Sequence, residues 1–289
     1  MDTLVEIQHS EWPKLRDLYS DQKRSSYAYN LLQTTINGIQ QNPQLNVHIY
    51  SLNGDWEHDG TFVMNDHNYI MVQTLSANYD RVLNALSCLD SKQDLLIYAF
   101  SESFYPIIRQ HFINLDLGLD AFQPEGTYWY HATKEQVQQF KIDLPAGVTL
   151  APLQLQHVEQ INSLWPHRGP GTTKFIERLI RYNISVGAYY TDGQLMAWAL
   201  QLPIGSIGIL QVLDEHKRKG LGSLIVRSIS KQLLARNFEV FAPVVFANVA
   251  SRSLFDRLGF RVVDKLYWAM RPASQETSHN LNNKMNSAV

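Results

Sequence analysis

Residues 214 to 226 read DEHKRKGLGSLIV, so that Lys217, Arg218 and Lys219 run into Gly220, Leu221 and Gly222 and then into an apolar stretch. Cations, a glycine pair and the opening of a helix together make an anion site. The first N–H groups of a helix have no acceptor within it, and the helix dipole adds positive potential at the same end. Glycine lets the backbone approach a bulky phosphate with no side chain between them. Each charge-assisted hydrogen bond contributes about 1.5–3 kcal/mol, so several amides on one diphosphate give useful affinity. Lys217, Arg218, Lys219, Gly220, Leu221, Gly222 and Ser223 are therefore the candidate anion-binding residues. The segment fits neither of two known phosphate loops. The Gly-x4-Gly-Lys-Ser/Thr pattern is absent, and Ile225 stands where the dinucleotide fingerprint needs a third glycine.

Acid–base chemistry has thinner support. Asp214, Glu215 and His216 precede the cations, where a carboxylate or imidazole could move a proton through water; an exposed loop is the simpler reading. Asn248 is placed to cap a helix starting at Val249. The histidines form no His-x3-His pair and Cys88 is the only cysteine, so no metal site is expected. There is no Gly-x-Ser-x-Gly elbow.

The elements that must position these groups follow from pattern. The stretch KIDLPAGVTLAPL, residues 141 to 153, breaks the chain near Ala146. Beyond it come a short strand at 148–150, helices at about 154–164 and 174–181, and strands at 184–190 and 194–202 joined by Thr191-Asp192-Gly193, a hairpin signal. Residues 206–213 are apolar on both alternating sets, as in a central strand buried on both faces. From Leu221 a helix shows a stripe of Leu221, Leu224, Ile225, Ser228, Gln232 and Leu233. Strands at 239–246 and 261–270 flank a short helix. On that helix Asn248, Ser251 and Phe255 share one face, and Ala250, Leu254 and Leu258 are expected to pack inward, with Gly259 as the left-handed cap. The fold class is α/β, with a mixed sheet. The first half echoes the second: LVEIQHSEWPKLRDLY against VTLAPLQLQHVEQINSLW, LNVHIYSLNGDWEHDGTFVM against ISVGAYYTDGQLMAWALQL. The domains expected are 1–145, a degenerate repeat; 146–272, carrying the glycine segment; and 273–289, a polar disordered tail.

VLDEHKRKGLGSLIV, followed after some 25 residues by NVASRSLFDRLGF, resembles the acetyl-CoA cradle and next helix of the GNAT superfamily of N-acyltransferases. The cradle pattern there is Gln/Arg-x-x-Gly-x-Gly/Ala; here Lys217 takes the first place. The resemblance extends over 148–271 in element order, and a front half of this length resembles the glycine N-acyltransferase-like group. It implies that acetyl-CoA or another acyl-CoA is co-substrate and that a small amine or amino acid accepts the acyl group. It implies a gap between strands 206–213 and 239–246 in which the backbone of Gln211, Val212 and Leu213 meets the pantetheine arm, with Asn248, Ser251, Arg252 and Phe255 as further contacts. Pro243 fits a strand at such an opening, since it lacks an N–H. The resemblance also implies a tyrosine proton donor where Phe255 stands, leaving Ser251, Tyr267 or water to replace it, and Glu215 or His216 as base. An acyl-CoA-binding module with little or no turnover is the alternative.

Composition excludes several classes. The 25 basic and 27 acidic residues give a formal charge of −2, so no global field draws the chain to nucleic acid or an anionic membrane, and the four-residue HKRK run is short for either. No apolar run reaches about 18 residues, and the N-terminus has no cationic start before an apolar core, so an intracellular protein, cytoplasmic or mitochondrial, is expected. A single cysteine suits a reducing compartment and is expected to fill core. Acyl length, acceptor identity and oligomeric state are not written in the sequence.

Overall fold

One order of elements runs twice along the chain. The first pass is β1 (Leu4–Glu6), α1 (Trp12–Leu18), α2 (Ala28–Gln41), β2 (Val47–Leu52), the single turn α3 (Trp56–Asp59), β3 (Phe62–Asp66), β4 (Tyr69–Gln73), α4 (Asp80–Ser87), β5 (Leu95–Ser101), α5 (Tyr105–Asn114) and β6 (Glu125–Ala132). After the connector α6 (Lys134–Gln138), the second is β7 (Val148–Ala151), α7 (Val158–Leu164), α8 (Thr172–Tyr182), β8 (Ser185–Tyr190), β9 (Leu195–Gln201), β10 (Ile207–Val212), α9 (Leu221–Ala235), β11 (Val240–Val245), α10 (Val249–Arg257) and β12 (Arg261–Arg271). The computed structural model describes residues 2–24 and 26–274.

Local chemistry sets the turns. Gly193 takes φ +86° between β8 and β9, with the Gln194 N–H on the Asp192 carboxylate at 2.9 Å. Between β3 and β4 the same geometry is made without glycine, by His67 and Asn68 at φ +54° and +70°. The hairpin expected over 45–64 exists as β2 and β3, but α3 is inserted in its turn.

Strand pairing crosses the two passes. One sheet has the order β1-β2-β3-β4-β5-β12-β6-β11 and the other β10-β9-β8-β7. The last strand of each pass thus lies against the other pass: β12 pairs β5, β6 pairs β11, and β6 and β12 pair together between them. Because neighbouring side chains on a strand face opposite ways, each exchanged strand serves two cores. Trp129 of β6 joins a core shared by both passes, while Tyr130 and Ala132 join the core under α9 and α10. Leu266 of β12 enters the shared core and Ala269 the core under α4 and α5. The break near Ala146 divides the sequence, and the main sheet runs across it.

Polar bolts add to the shared core. Asn30 of α2, buried, donates to the Glu239 carbonyl at 2.8 Å and accepts from the Glu239 N–H at 3.2 Å. A Cβ on Gly205 would lie 2.6 Å from the Asn30 Cβ, so that turn needs glycine. Asp66 holds the Arg178 guanidinium in a two-pronged ion pair, with Nη2 to Oδ2 at 2.8 Å. Burial alone would raise its carboxyl, but His67 and Arg178 together hold it below the ordinary value.

Four expectations need correction. Strand β10 is not buried on both faces; it is an edge strand and mostly half-buried, because a glycine-initiated bulge turns it away from a second neighbour. On α10 it is Phe255 and Leu258 that are buried, with Leu254 half-buried and Ala250 exposed, because Phe255 meets the rings of Tyr130 and Phe260. On α9 Val226, Ile229 and Ser230 widen the buried face, while Gln232 is half-buried. Of the tail expected from 273, Ala273 and Ser274 are tied down, donating to Asp94 and to the Ser91 carbonyl, each at 2.8 Å; the rest, 275–289, lies outside the described residues. Among the described residues no helix is long and apolar enough to cross a membrane.

His111 on α5 gives the fold an acid-sensitive point. It is fully buried with neither ring nitrogen hydrogen-bonded, and burial, aided by the Arg271 charge, pushes its pKa from 6.5 down to about 4. The unfolded chain takes up the proton first. The stability this neutral ring contributes is therefore complete above pH 6.5 and is lost as pH falls towards 4, by at most about 1.4 kcal/mol per unit. Urea unfolding of the protein and of His111→Leu across this range should show a shallower acid slope in the variant; parallel slopes would refute the assignment.

Candidate functional site

Two edge strands face one another without pairing. β10 ends one sheet and β11 ends the other. The hydrogen-bonding groups on β11's far side are taken by β6, including the Pro243–Trp129 register, and those on β10's far side by β9. Between Gly208 and Gln211 the β10–β9 register slips by one residue, and Ile209 within the slip takes φ +49°. A β-branched residue in this region carries strain on the order of 1–3 kcal/mol. The bulge lies in the segment of β10 that parts from β11. Sequence analysis missed it; Gly208 at its start is the one visible signal.

The backbone facing this gap can be assigned. Leu213 donates to Met196 at 2.9 Å and its carbonyl accepts from His216 at 2.9 Å, so Leu213, expected as a pantetheine contact, has both groups engaged within the chain. In an antiparallel ladder alternate residues point away from the partner strand, which turns Val212 towards the gap. Its carbonyl receives the Gln211 side chain at 3.2 Å, which commits Gln211 as well. What remains for an incoming amide acceptor is the Val212 N–H.

At the end of β10 a tight turn over Asp214–His216 leads to the glycine segment. Arg218 and Gly220 both have left-handed backbones, at φ +61° and +83°, and α9 opens after Gly220 with no side-chain cap. The first amide to find an acceptor is that of Leu224, which donates to the Gly220 carbonyl at 3.1 Å. The amides of Leu221, Gly222 and Ser223 are the free ones of the opening turn. Gly220 is exposed with nothing within 4 Å of an added Cβ, whereas Gly222 sits against Leu254 and Val212. Of the three cations, Lys217 is 2.6 Å from Asp214, and Arg218 and Lys219 are exposed.

The acid–base candidates are not brought together. Glu215 is exposed; His216 is half-buried, 4.0 Å from it, with Nε2 buried and without a hydrogen bond. Ser251 is half-buried on α10 and hydrogen-bonds to neither, its own N–H resting on the Asn248 side chain at 3.0 Å. Asn248 is thus the cap expected of it. Arg252, expected at the cofactor or in solvent, is held instead by the Phe246 carbonyl at 3.1 Å and lies over the Tyr128 ring at 4.9 Å. Tyr267 donates to Glu102 at 3.4 Å, and burial first, then Glu102, raises its pKa. Among the described residues no group of three His, Cys, Asp or Glu side chains could hold a metal.

The family model described as FR47-like protein matches residues 185–269, which span β8 to β12 and hence the whole site. No curated protein matches the chain. Among solved structures, a Drosophila protein is similar over 95% of this chain and 100% of its own, at TM-score 0.83 and 23% identity. A tandem GNAT protein from the clavulanic acid biosynthesis pathway, solved without acetyl-CoA, is similar over 95% and 100%, at 0.56 and 12%. A glucosamine N-acetyltransferase region within a fungal multi-domain β-N-acetylglucosaminidase is similar over 93% of this chain and 38% of that one, at 0.53 and 10%. The architecture is that of a GNAT fold joined to a second, related α/β unit.

The two glycines should respond unequally to a methyl group. Gly220→Ala forces a side chain into the left-handed region and should lower the unfolding free energy by about 1 kcal/mol. Gly222→Ala adds a Cβ at 3.4 and 3.6 Å from its neighbours, ordinary contact, and should change stability by less than about 0.5 kcal/mol. Equal effects in chemical denaturation would contradict this account of the loop.

Proposed function

We propose that the chain is an acyl-CoA-dependent N-acyltransferase, moving an acyl group from acetyl-CoA or another acyl-CoA to a small amine or amino acid. The observation that carries the reading is the open N-terminus of α9 at the end of a gap between two unpaired strand edges. A diphosphate suits the free amides of Leu221, Gly222 and Ser223, and a chain of amides suits the Val212 N–H. Arg218 and Lys219 add attraction at longer range; Lys217 contributes less, being paired with Asp214. The residues fit the coenzyme on this count. The thioester, when bound, supplies an activated acyl carbon and a thiolate leaving group.

The chain's own residues must manage the protons. Of the candidates named, His216 stands beside the cradle on a half-buried side chain that, among the described residues, makes no ion pair closer than 4.0 Å. We assign it the role of accepting the ammonium proton through water. Phe255 has no proton to offer and is nearly buried. A missing general acid lowers a rate by about 10²- to 10⁴-fold where one is needed, but a thiol is acidic enough to leave without one. The burial of Phe255 also favours a second reading, a binding module with little turnover. The glycine N-acyltransferase-like group is the part of the family we favour for the acceptor, on the strength of the long first half; an intracellular site of action accords with the single cysteine.

Ser223→Asp separates binding from folding. A carboxylate in the first turn favours the helix dipole but repels a diphosphate. Calorimetry should therefore find CoA bound at least ten-fold more weakly while the melting temperature holds or rises. Unchanged CoA affinity would remove the cradle reading. Release of free thiol from acetyl-CoA with a panel of amines then tests turnover; if CoA binds, nothing turns over, and Phe255→Tyr restores a rate, the module reading replaces the enzyme.

A further inference from the structure

The first pass of the fold keeps a cleft where the second has its cradle. The segment after β4 corresponds to the glycine segment after β10, and the end of β5 to the end of β11. A cavity of about 330 Å³ lies between these two places, closed further by the α1–α2 connection, by Trp129 of β6 and by Asp264 of β12. That is roughly twice the ~150 Å³ in which a buried site holds benzene, room for a single-ring molecule with a short arm.

Its chemistry is unlike the cradle's. Residues 74–79 read TLSANY, with neither glycine nor cation, and among the described residues no Lys, Arg or His lines the cavity. A diphosphate would find nothing there to neutralise it. The one ionisable group of charge is Asp264, half-buried, set opposite Trp129 by a bulge in β12. Its Oδ1 accepts from the Lys265 N–H at 2.7 Å. The Lys265 ammonium is paired at 2.6 Å with the Glu102 carboxylate and acts on Asp264 only as a more distant charge. Burial, assisted by the Glu102 charge, raises the Asp264 pKa against that charge and the backbone hydrogen bonds from Lys265 and Glu102. One buried polar group on a lining residue, the Trp129 indole N–H, has no hydrogen-bond partner among the described residues, whereas the Tyr27 hydroxyl is engaged by the Gln73 side chain. The walls include Tyr79 set edge-on to Phe104 at 4.9 Å and Tyr27 edge-on to Trp129 at 6.1 Å.

We infer that this cavity is a second ligand site, which binds a small amine with an aromatic ring and a polar oxygen, the ammonium pairing with Asp264 and the oxygen meeting the Trp129 indole N–H. An amine supplies the direct ion-pair partner that Lys265, held by Glu102, does not, aromatic walls favour both a ring and a cation, and an oxygen acceptor answers the stranded indole N–H. The site does not depend on acyl-CoA binding in the second pass.

Tyramine is the probe, and its anionic counterpart 3-(4-hydroxyphenyl)propionate the control, both titrated calorimetrically into the full chain. Tyramine should bind and the propionate should not. Asp264→Asn should weaken tyramine at least ten-fold, and Ala77→Trp, at an exposed position lining the cavity, should abolish binding by filling it; if the first variant does not fold, the second decides. Ser223→Asp should leave tyramine affinity unchanged, and both cavity variants should leave CoA affinity unchanged. The inference is overturned if tyramine does not bind, if the propionate binds as well, if the cavity variants bind tyramine as the parent does, or if Ser223→Asp removes it.

Discussion

β6 lies between β11 and β12, and most of what the molecule can do follows from that placement. A strand there is obliged to present side chains to two layers at once, and the run Tyr128-Trp129-Tyr130 does so: Trp129 stacks on Phe241 at 4.7 Å on one face, Tyr130 approaches Phe255 at 5.8 Å on the other. Withdrawing β6 would uncover the shared core and the core under α9 together. The reciprocal placement of β12 beside β5 binds the first pass to the second in the same way. Each half thus completes its hydrophobic interior with a strand of the other.

This exchange also creates the gap. β11 satisfies one edge through β6 and is held there by a full antiparallel ladder from Val240 to Val245. β10 satisfies one edge through β9, then bulges at Ile209. Both strands are anchored on their far sides, so their near edges stay apart instead of closing into a continuous sheet. Unpaired edges are ordinarily an aggregation hazard; here each is short, and Pro243 removes one donor from β11. The strain at Ile209 is sustained by packing, since its side chain lies against the shared core. On the proposed function, a near-neutral chain would thereby draw an anion to one place, with free amides rather than net charge as the source.

Much of this was legible in the sequence, for reasons that are local. Asp192-Gly193 fixes a turn by its backbone angles, the stripe on α9 fixes a helix by its period, and Asn248 fixes a helix start by its side chain. Pairing partners are another matter. An alternating strand states which face is buried but not which strand lies beside it, so TYWYHA, for all its adjacent aromatics, does not reveal that it lies between β11 and β12. Apolarity on both faces of 206–213 was read as central burial, whereas part of it covers a bulge at an edge. Arg252 was unreadable for the same reason: a carbonyl and a ring from distant strands, Phe246 and Tyr128, decide where its charge goes.

The duplicated order separates what topology dictates from what side chains add. Parallel neighbours β4 and β5 pair over only two residues, Tyr69 with Leu96 and Ile70 with Ile97, before they diverge, and β10 and β11 do not pair at all. Divergence of these two strands is thus common to both passes, and it leaves a cleft at their carboxyl ends whatever sequence follows. The following segment then sets the sign of what can enter. KRKGLGS after β10 offers glycines and cations, whereas TLSANY after β4 has neither, and the strand that closes the first-pass cleft carries Asp264 instead. A cleft built by strand divergence costs the fold no packing it would otherwise have had, because the unpaired edges exist in either case. That is a physical reason for the first pass to hold a cavity without a glycine segment.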